Sequence, residues 1–199
     1  MEIRDTYFTL RNNSEGYYKE KGSKFLAFAF QVNDEEEIKE RLAELRKKFY
    51  DARHHCYAYV LGFDGEIYRA NDDGEPGHSA GDPILGQIRS NNLTNTLIVV
   101  VRYFGGTKLG VSGLIHAYKT AAADAIANNS IEENLILSEI TIRFDYPEIN
   151  QVMKLIKDFD LEILKQKMEI SCEMKLGVRL NIKEEVESRI KDMPQISIN

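Results

Sequence analysis

The sequence predicts an α+β protein of two domains, residues 1–134 and 137–199, and three observations carry that prediction. Apolar residues alternate with period two in some segments and recur every three to four residues in others, so strands and helices are interspersed along the chain. The polar string Asn128-Asn129-Ser130-Ile131-Glu132-Glu133-Asn134 separates two halves that each carry a full set of apolar elements. With 199 residues, 43% hydrophobic and 29% charged, the chain is long and apolar enough for two modest cores.

In the first half, residues 14–32 read as two strands turned around Gly22, the second carrying Phe25, Leu26, Phe28 and Phe30. Asn33 or Asp34 then caps a helix with Ile38, Leu42, Leu45 and Phe49 on one face. Glu35, Glu36 and Glu37 open that helix and Arg46, Lys47 and Lys48 close it. This is the order the helix dipole favours, so the charge runs read as helix ends rather than binding tails. Residues 54–62 and 65–71 form a second hairpin around Phe63-Asp64-Gly65, since Asp-Gly suits a tight turn. Residues 71–82 are too rich in Gly and Asp for a regular element. Pro83 sits in the first turn of a short helix, residues 93–104 form a buried strand, and residues 111–128 form a helix. The last of these turns Leu114, Ile115, Tyr118, Ala122, Ala125 and Ile126 inward.

In the second half, Ile140, Ile142, Phe144 and Tyr146 alternate, and Pro147 begins a helix with Ile149, Val152, Leu155, Ile156 and Phe159 on one side. Residues 161–169 form a strand, and Ile170, Cys172, Met174, Leu176, Val178 and Leu180 alternate inward in the next. Residues 182–193 supply a helix and residues 196–198 a last strand. The order β-α-β-β-α-β is that of a ferredoxin-like unit with an antiparallel sheet. This half contains no histidine and a single glycine, Gly177, so special chemistry is expected in the first half.

The formal net charge of −6 argues against nonspecific coating of nucleic acid but leaves room for a local basic surface. The first ten residues lack the form of a signal peptide, and no apolar run approaches the roughly 20 residues that span a bilayer. A cytoplasmic location without a membrane partner is therefore expected. Cys56 and Cys172 belong to no CxxC pair, which argues against a disulfide framework or a zinc site.

Three polar segments interrupt the apolar pattern of the first half, each beside a strand or a helix start, so they can converge on one face. In Arg102 to Gly113, the amides of Gly105, Gly106 and the first helical turn can cradle an anion, with Arg102 and Lys108 as counter-charges. The alternative is tight packing between strand and helix. Neither GxxxxGK[ST] nor GxGxxG occurs there. In the second segment, Asp72, Asp73 and Glu75 offer oxygen ligands that suit magnesium, or else build a shaped turn through side-chain to backbone bonds. In the third, His54 and Cys56 share a strand face while His55 points away. That spacing suggests either a Cys–His nucleophile or an ordinary buried thiol beside a hydrogen-bonding histidine. His116 is a polar-face residue or a ligand contact.

Taken in order, these segments resemble the IMPACT family in its bacterial, YigZ-like branch. The resemblance rests on Val100-Val101-Arg102-Tyr103-Phe104-Gly105-Gly106-Thr107-Lys108-Leu109-Gly110, on the loop from Asp72 to Pro76, and on His54 to Tyr59. The ferredoxin-like tail extends it over essentially the whole chain. Where the family usually has Gly-Thr-Ala-Gly, this chain has His78-Ser79-Ala80-Gly81, with Ser79 keeping the hydroxyl. Where the family usually has Arg or Lys early in the following helix, this chain has His116. The resemblance implies a first domain like RNase PH, GHMP kinases and domain IV of elongation factor G, with a left-handed βαβ crossover, and a tail like domain V of that factor. It also implies a link to translation control, and it carries no enzyme mechanism with it.

The leading expectation is therefore a noncatalytic protein without a cofactor that engages RNA or the ribosome and modulates translation, with a translation-associated protein as a further partner. Arg53, His54, Arg102, Gly105, Gly106, Lys108, Gly110, Gly113 and His116 are its anion- or RNA-binding candidates, and Asp72, Asp73, Gly74, Glu75 and Ser79 shape the site. One alternative is a phosphoryl- or nucleotide-processing enzyme with magnesium on Asp72, Asp73 and Glu75. Another is a protein-interaction adaptor.

Overall fold

The computed structural model describes residues 5–198, and no helix among them is long and apolar enough to cross a membrane. The chain divides into two compact units, Tyr7–Asn134 and a second made of residues 5–6 and 135–198.

The first unit contains β1 (Thr6–Leu10), β2 (Ser14–Glu20), β3 (Ser23–Gln31), α1 (Glu35–Lys48), β4 (His54–Leu61), β5 (Ile67–Asn71), α2 (Gly81–Ser90), β6 (Thr96–Tyr103), α3 (Gly110–Ala127) and β7 (Ile131–Leu135). Five strands form one sheet in the order β2-β3-β6-β4-β5. β6 runs antiparallel to both β3 and β4, so those two are parallel to each other, with β6 between them. α1 covers one face, where Ile38 and Leu45 join Phe28, Tyr57, Leu97, Val99 and Val101. α2 and α3 cover the other, packing on Phe25, Ala27, Cys56, Ala58, Ile98 and Val100. Burial on both faces is why Leu97 to Val101 reads as an unbroken apolar run.

Local chemistry accounts for the element ends. Asp34 caps α1 by accepting the Glu37 N–H at 2.9 Å, and the Glu37 carboxylate accepts the Asn33 N–H at 3.0 Å, a reciprocal capping box. α3 lies close on the sheet through the buried Ala117, Ala121, Ala122 and Ala125. Gly16 of β2 makes that approach possible, since a Cβ there would sit 2.3 Å from the Ala125 nitrogen. Ile115, expected inward, is exposed on α3. α2 begins at Gly81, two residues before Pro83, because a distant carboxylate, described below, satisfies its first amides. The polar string after α3 is not a plain join: part of it is β7, which pairs with β1, a strand the hydrophobic pattern does not announce.

The second unit contains β8 (Leu137–Asp145), α4 (Ile149–Asp158), β9 (Glu162–Lys167), β10 (Ser171–Arg179), α5 (Lys183–Lys191) and β11 (Ile196–Ile198). Its sheet order is β11-β8-β10-β9, with every pair antiparallel. Numbered within the unit this is 4-1-3-2, the ferredoxin-like arrangement. Ile140, Ile142, Phe144, Cys172, Met174, Leu176 and Val178 pack against Val152, Leu155, Val186 and Ile190. The inward pattern of β10 is shorter than expected: Ile170 is 90% exposed in the turn before the strand, and Leu180 is half-buried just beyond it. Tyr146 is likewise exposed, in the 3₁₀ turn that Pro147 starts after β8. Asp5, which the sequence places with the first half, groups with the second unit. The Arg179 guanidinium donates twice to its carboxylate, at 3.0 and 2.7 Å, and the Ile136 N–H donates to its carbonyl at 2.7 Å.

Candidate functional site

The start of β4 and the end of β6 lie side by side, with His54 opposite Arg102, and Phe25 of β3 opposite Arg102 on the other side. All three therefore share the face that carries α2 and α3. Arg102 is only 7% exposed there. The loop between β5 and α2 folds over it and delivers Glu75, whose carboxylate accepts from Arg102 Nη1 at 2.5 Å and from the Tyr118 hydroxyl at 2.8 Å. The Glu75 side chain is 4% exposed, so this is a buried ion pair with both members desolvated. The Arg102 guanidinium also lies over the rings of Phe25 and Phe104, at 5.5 and 5.8 Å, while its Nε is buried without a hydrogen-bond partner among the described residues.

His54 completes the group. Its Nδ1 lies 2.9 Å from the Asp73 carbonyl oxygen, which can only accept, so Nδ1 carries the proton. Nε2 is thereby turned toward Glu75, 4.0 Å away. Gly74 has φ +87°, and a Cβ there would touch His54 Nδ1 at 3.6 Å. In front of these residues opens a cleft of about 430 Å³ lined by Asp51, Arg53, His54, Arg102, Tyr103 and Phe104. Arg53 is exposed and has no ion-pair partner among the described residues. The Tyr103 hydroxyl donates to Asp51 at 2.7 Å, a bond that pushes its pKa up to about 12.

The remaining acidic loop residues serve the loop itself. The Asp72 carboxylate accepts the N–H groups of His78, Ala80 and Gly81, each at 2.9 Å, and so caps α2 from a distance. Burial alone would raise its pKa, but these amides outweigh burial and hold it below the usual value. Asp73 accepts the His55 N–H at 2.7 Å and Arg46 Nη2 at 3.0 Å. Ser79 Oγ donates to the Pro76 carbonyl at 2.6 Å, and the His78 ring pairs with Asp82 at 2.6 Å, which raises the imidazole pKa. Asp72, Asp73 and Glu75 thus face three different sets of donors and do not supply the convergent carboxylates that magnesium takes. Among the described residues, no group of three or more His, Cys, Asp or Glu is placed to hold a metal ion.

Cys56 is fully buried, its thiol 3.0 Å from the Asp72 carbonyl oxygen and 3.3 Å from the Tyr118 hydroxyl. Burial pushes its pKa far up, the reverse of what a thiolate nucleophile needs. His55 points to the opposite face, where burial lowers its pKa, with Arg46 adding to the effect.

The glycines after β6 have separate causes. A Cβ on Gly105 would lie 1.9 Å from the carbonyl carbon of Gly22, and its N–H donates to Ser23 Oγ at 3.1 Å. This glycine lets two backbones touch. Gly106 and Gly110 have φ of +87° and +72° and open space around them, and a Cβ on Gly113 would lie 3.1 Å from the Leu109 Cβ. The expected pair of counter-charges is split. Arg102 is buried and neutralised by Glu75, while Lys108 is exposed without an ion pair among the described residues. His116 is exposed and sits edge-on to Tyr18 at 5.7 Å.

Arg53, His54 and Arg102 therefore come together with Asp73, Gly74 and Glu75, whereas Lys108, Gly110, Gly113 and His116 do not line the cleft. Sequence reasoning missed Asp51, Tyr103 and Phe104 as lining residues and Tyr118 as the second donor to Glu75. The one signal available was Tyr103-Phe104, two aromatics at the end of a strand already buried on both faces.

Residues 21–126 match the sequence model of the Impact N-terminal domain. The chain is 33% identical over 153 residues to the IMPACT family member YvyE of Bacillus subtilis, covering 77% of this chain and 70% of that protein. It is 40% identical over 140 residues to an IMPACT family member of Thermus thermophilus, covering 70% of this chain and 75% of that one. A crystal structure described as a hypothetical protein superposes with a TM-score of 0.75 over 98% of this chain and 97% of its own, at 24% identity, a likeness of fold.

Proposed function

The chain belongs to the IMPACT family, and on that premise we propose that it binds RNA, free or in the ribosome, through the cleft at the β4–β6 end of its first unit. In this reading it modulates translation without catalysing a reaction, and it does so in the cytoplasm. The observation that carries the reading is the cleft itself. Arg53, exposed and without an ion-pair partner among the described residues, opens onto the same space as His54 and the exposed ring of Phe104, with Arg102, held by Glu75, in the cleft lining. Cations beside an exposed aromatic are what phosphate and base recognition use together. Exposed Lys24 stands opposite Tyr103 in the β3–β6 ladder, a further cation on the strand beside β6. The noncatalytic half of the reading is supported by how the reactive groups are spent: the Cys56 thiol on a carbonyl, Glu75 on Arg102 and Tyr118. The translational setting is supplied by the family resemblance.

The test is binding of labelled single-stranded RNA to the wild-type protein and to Arg53→Ala across a salt series. Arg53 is exposed, so the variant keeps its fold. Loss of one phosphate contact should lower the slope of log affinity against log salt by about 0.7 and weaken all RNA sequences alike. An unchanged slope would contradict the reading. Arg102→Ala is the wrong variant for this purpose, because it removes half of a buried ion pair.

A further inference from the structure

We infer that the cleft takes single-stranded rather than duplex RNA, with a base stacked on Phe104 while Arg53 and Lys24 hold phosphates on either side. The inference rests on the RNA-binding reading and deepens it. Phe104 is 55% exposed although it directly follows a strand buried on both faces, and no packing requirement accounts for so much aromatic surface in water. The Arg102 guanidinium lies 5.8 Å from its ring centroid, a cation–π contact that fixes the ring at the cleft wall. Tyr50, 84% exposed, immediately precedes the lining residue Asp51 and supplies a second aromatic at the same end of the sheet.

The register sets the spacing. Arg53 adjoins the start of β4, Phe104 follows β6, and Lys24 lies on β3, so the two cationic residues stand two strand spacings apart along the sheet end, about 10 Å, with the strand that leads to Phe104 between them. Neither cation has an ion-pair partner among the described residues. A strand crossing the sheet end in this direction passes Arg53, the end of β6 that leads to Phe104, and Lys24 in turn. Only an unpaired base can reach the ring, since duplex bases are stacked on their neighbours and present edges rather than faces.

The experiment compares a single-stranded oligouridylate with its duplex on oligoadenylate, using wild type, Phe104→Ala, Phe104→Tyr and Tyr50→Ala, each checked for an unchanged melting midpoint. Phe104→Ala should weaken the single strand by about five- to 150-fold with the salt slope unchanged, Phe104→Tyr should restore it, and the duplex should bind weakly to all. Tyr50→Ala, at a fully surface position, should weaken the single strand in the same way. Equal affinity for duplex and single strand, or Phe104→Ala binding as wild type, would overturn the inference. In that event a reduced salt slope in Arg53→Ala would still uphold the phosphate reading. If wild type binds neither RNA, both fall.

Discussion

Glu75→Ala is expected to lower stability by about 3–5 kcal/mol, the usual result of removing one partner from a buried ion pair. For a chain of this size that corresponds to a fall of about 6–20 °C in melting midpoint. Glu75 and Arg102 are both buried, so the variant leaves a guanidinium without its counter-charge in a place where Nε already lacks a partner among the described residues. The Tyr118 hydroxyl loses its acceptor in the same step. Glu75→Gln keeps an acceptor oxygen of the same reach and should fall between wild type and alanine. Replacing both members, Glu75→Leu with Arg102→Met, should cost less than the sum of the single changes, because no charge is then stranded. Thermal unfolding of the five variants, the single changes Glu75→Leu and Arg102→Met included, decides the matter. If Glu75→Ala melts with wild type, Arg102 is not held by Glu75 and the floor of the cleft is not what is described above.

Gly105→Ala should cost about 3 kcal/mol or more, at or beyond the upper end for overpacking, because the added carbon meets backbone rather than a side chain that can turn aside. The obstruction is the Gly22–Ser23 peptide, at 1.9 Å from the Gly22 carbonyl carbon and 2.1 Å from the Ser23 nitrogen. Gly106→Ala is the control within the same loop. It meets open space and pays only for its positive φ, about 1–2 kcal/mol. Urea unfolding of the two variants should separate them clearly. Equal and small losses would mean that the hairpin turn and the glycine loop do not touch.

Both variants bear on what was legible in the sequence. Most elements could be read from local signals: Asp34 with Glu37 announces α1, and the alternation of Ile140, Ile142 and Phe144 announces β8. β7 escaped because its residues are mostly exposed, and β1 because five half-buried and buried residues are too few to show a clear period. The start of α2 escaped because its cap, Asp72, lies eight residues before Ala80, outside the window in which capping is recognisable. The site was legible in membership but not in role. Arg53, His54 and Arg102 stood out as polar interruptions, yet nothing in their spacing shows that Arg102 is answered by Glu75, 27 residues away. Composition likewise flags four glycines after β6 without showing that Gly105 serves a backbone contact and Gly106 a turn. Those assignments depend on which strand lies beside which, a property of the folded sheet.

The central claim is that RNA contacts the end of the sheet where β4 starts and β6 stops. Photo-crosslinking of the wild-type protein to single-stranded RNA carrying 4-thiouridine, with the adducts located by mass spectrometry, tests it most directly. The account predicts adducts on Tyr50, Tyr103 or Phe104. Adducts confined to β8, β9, β10 or the helices of the second unit would contradict it.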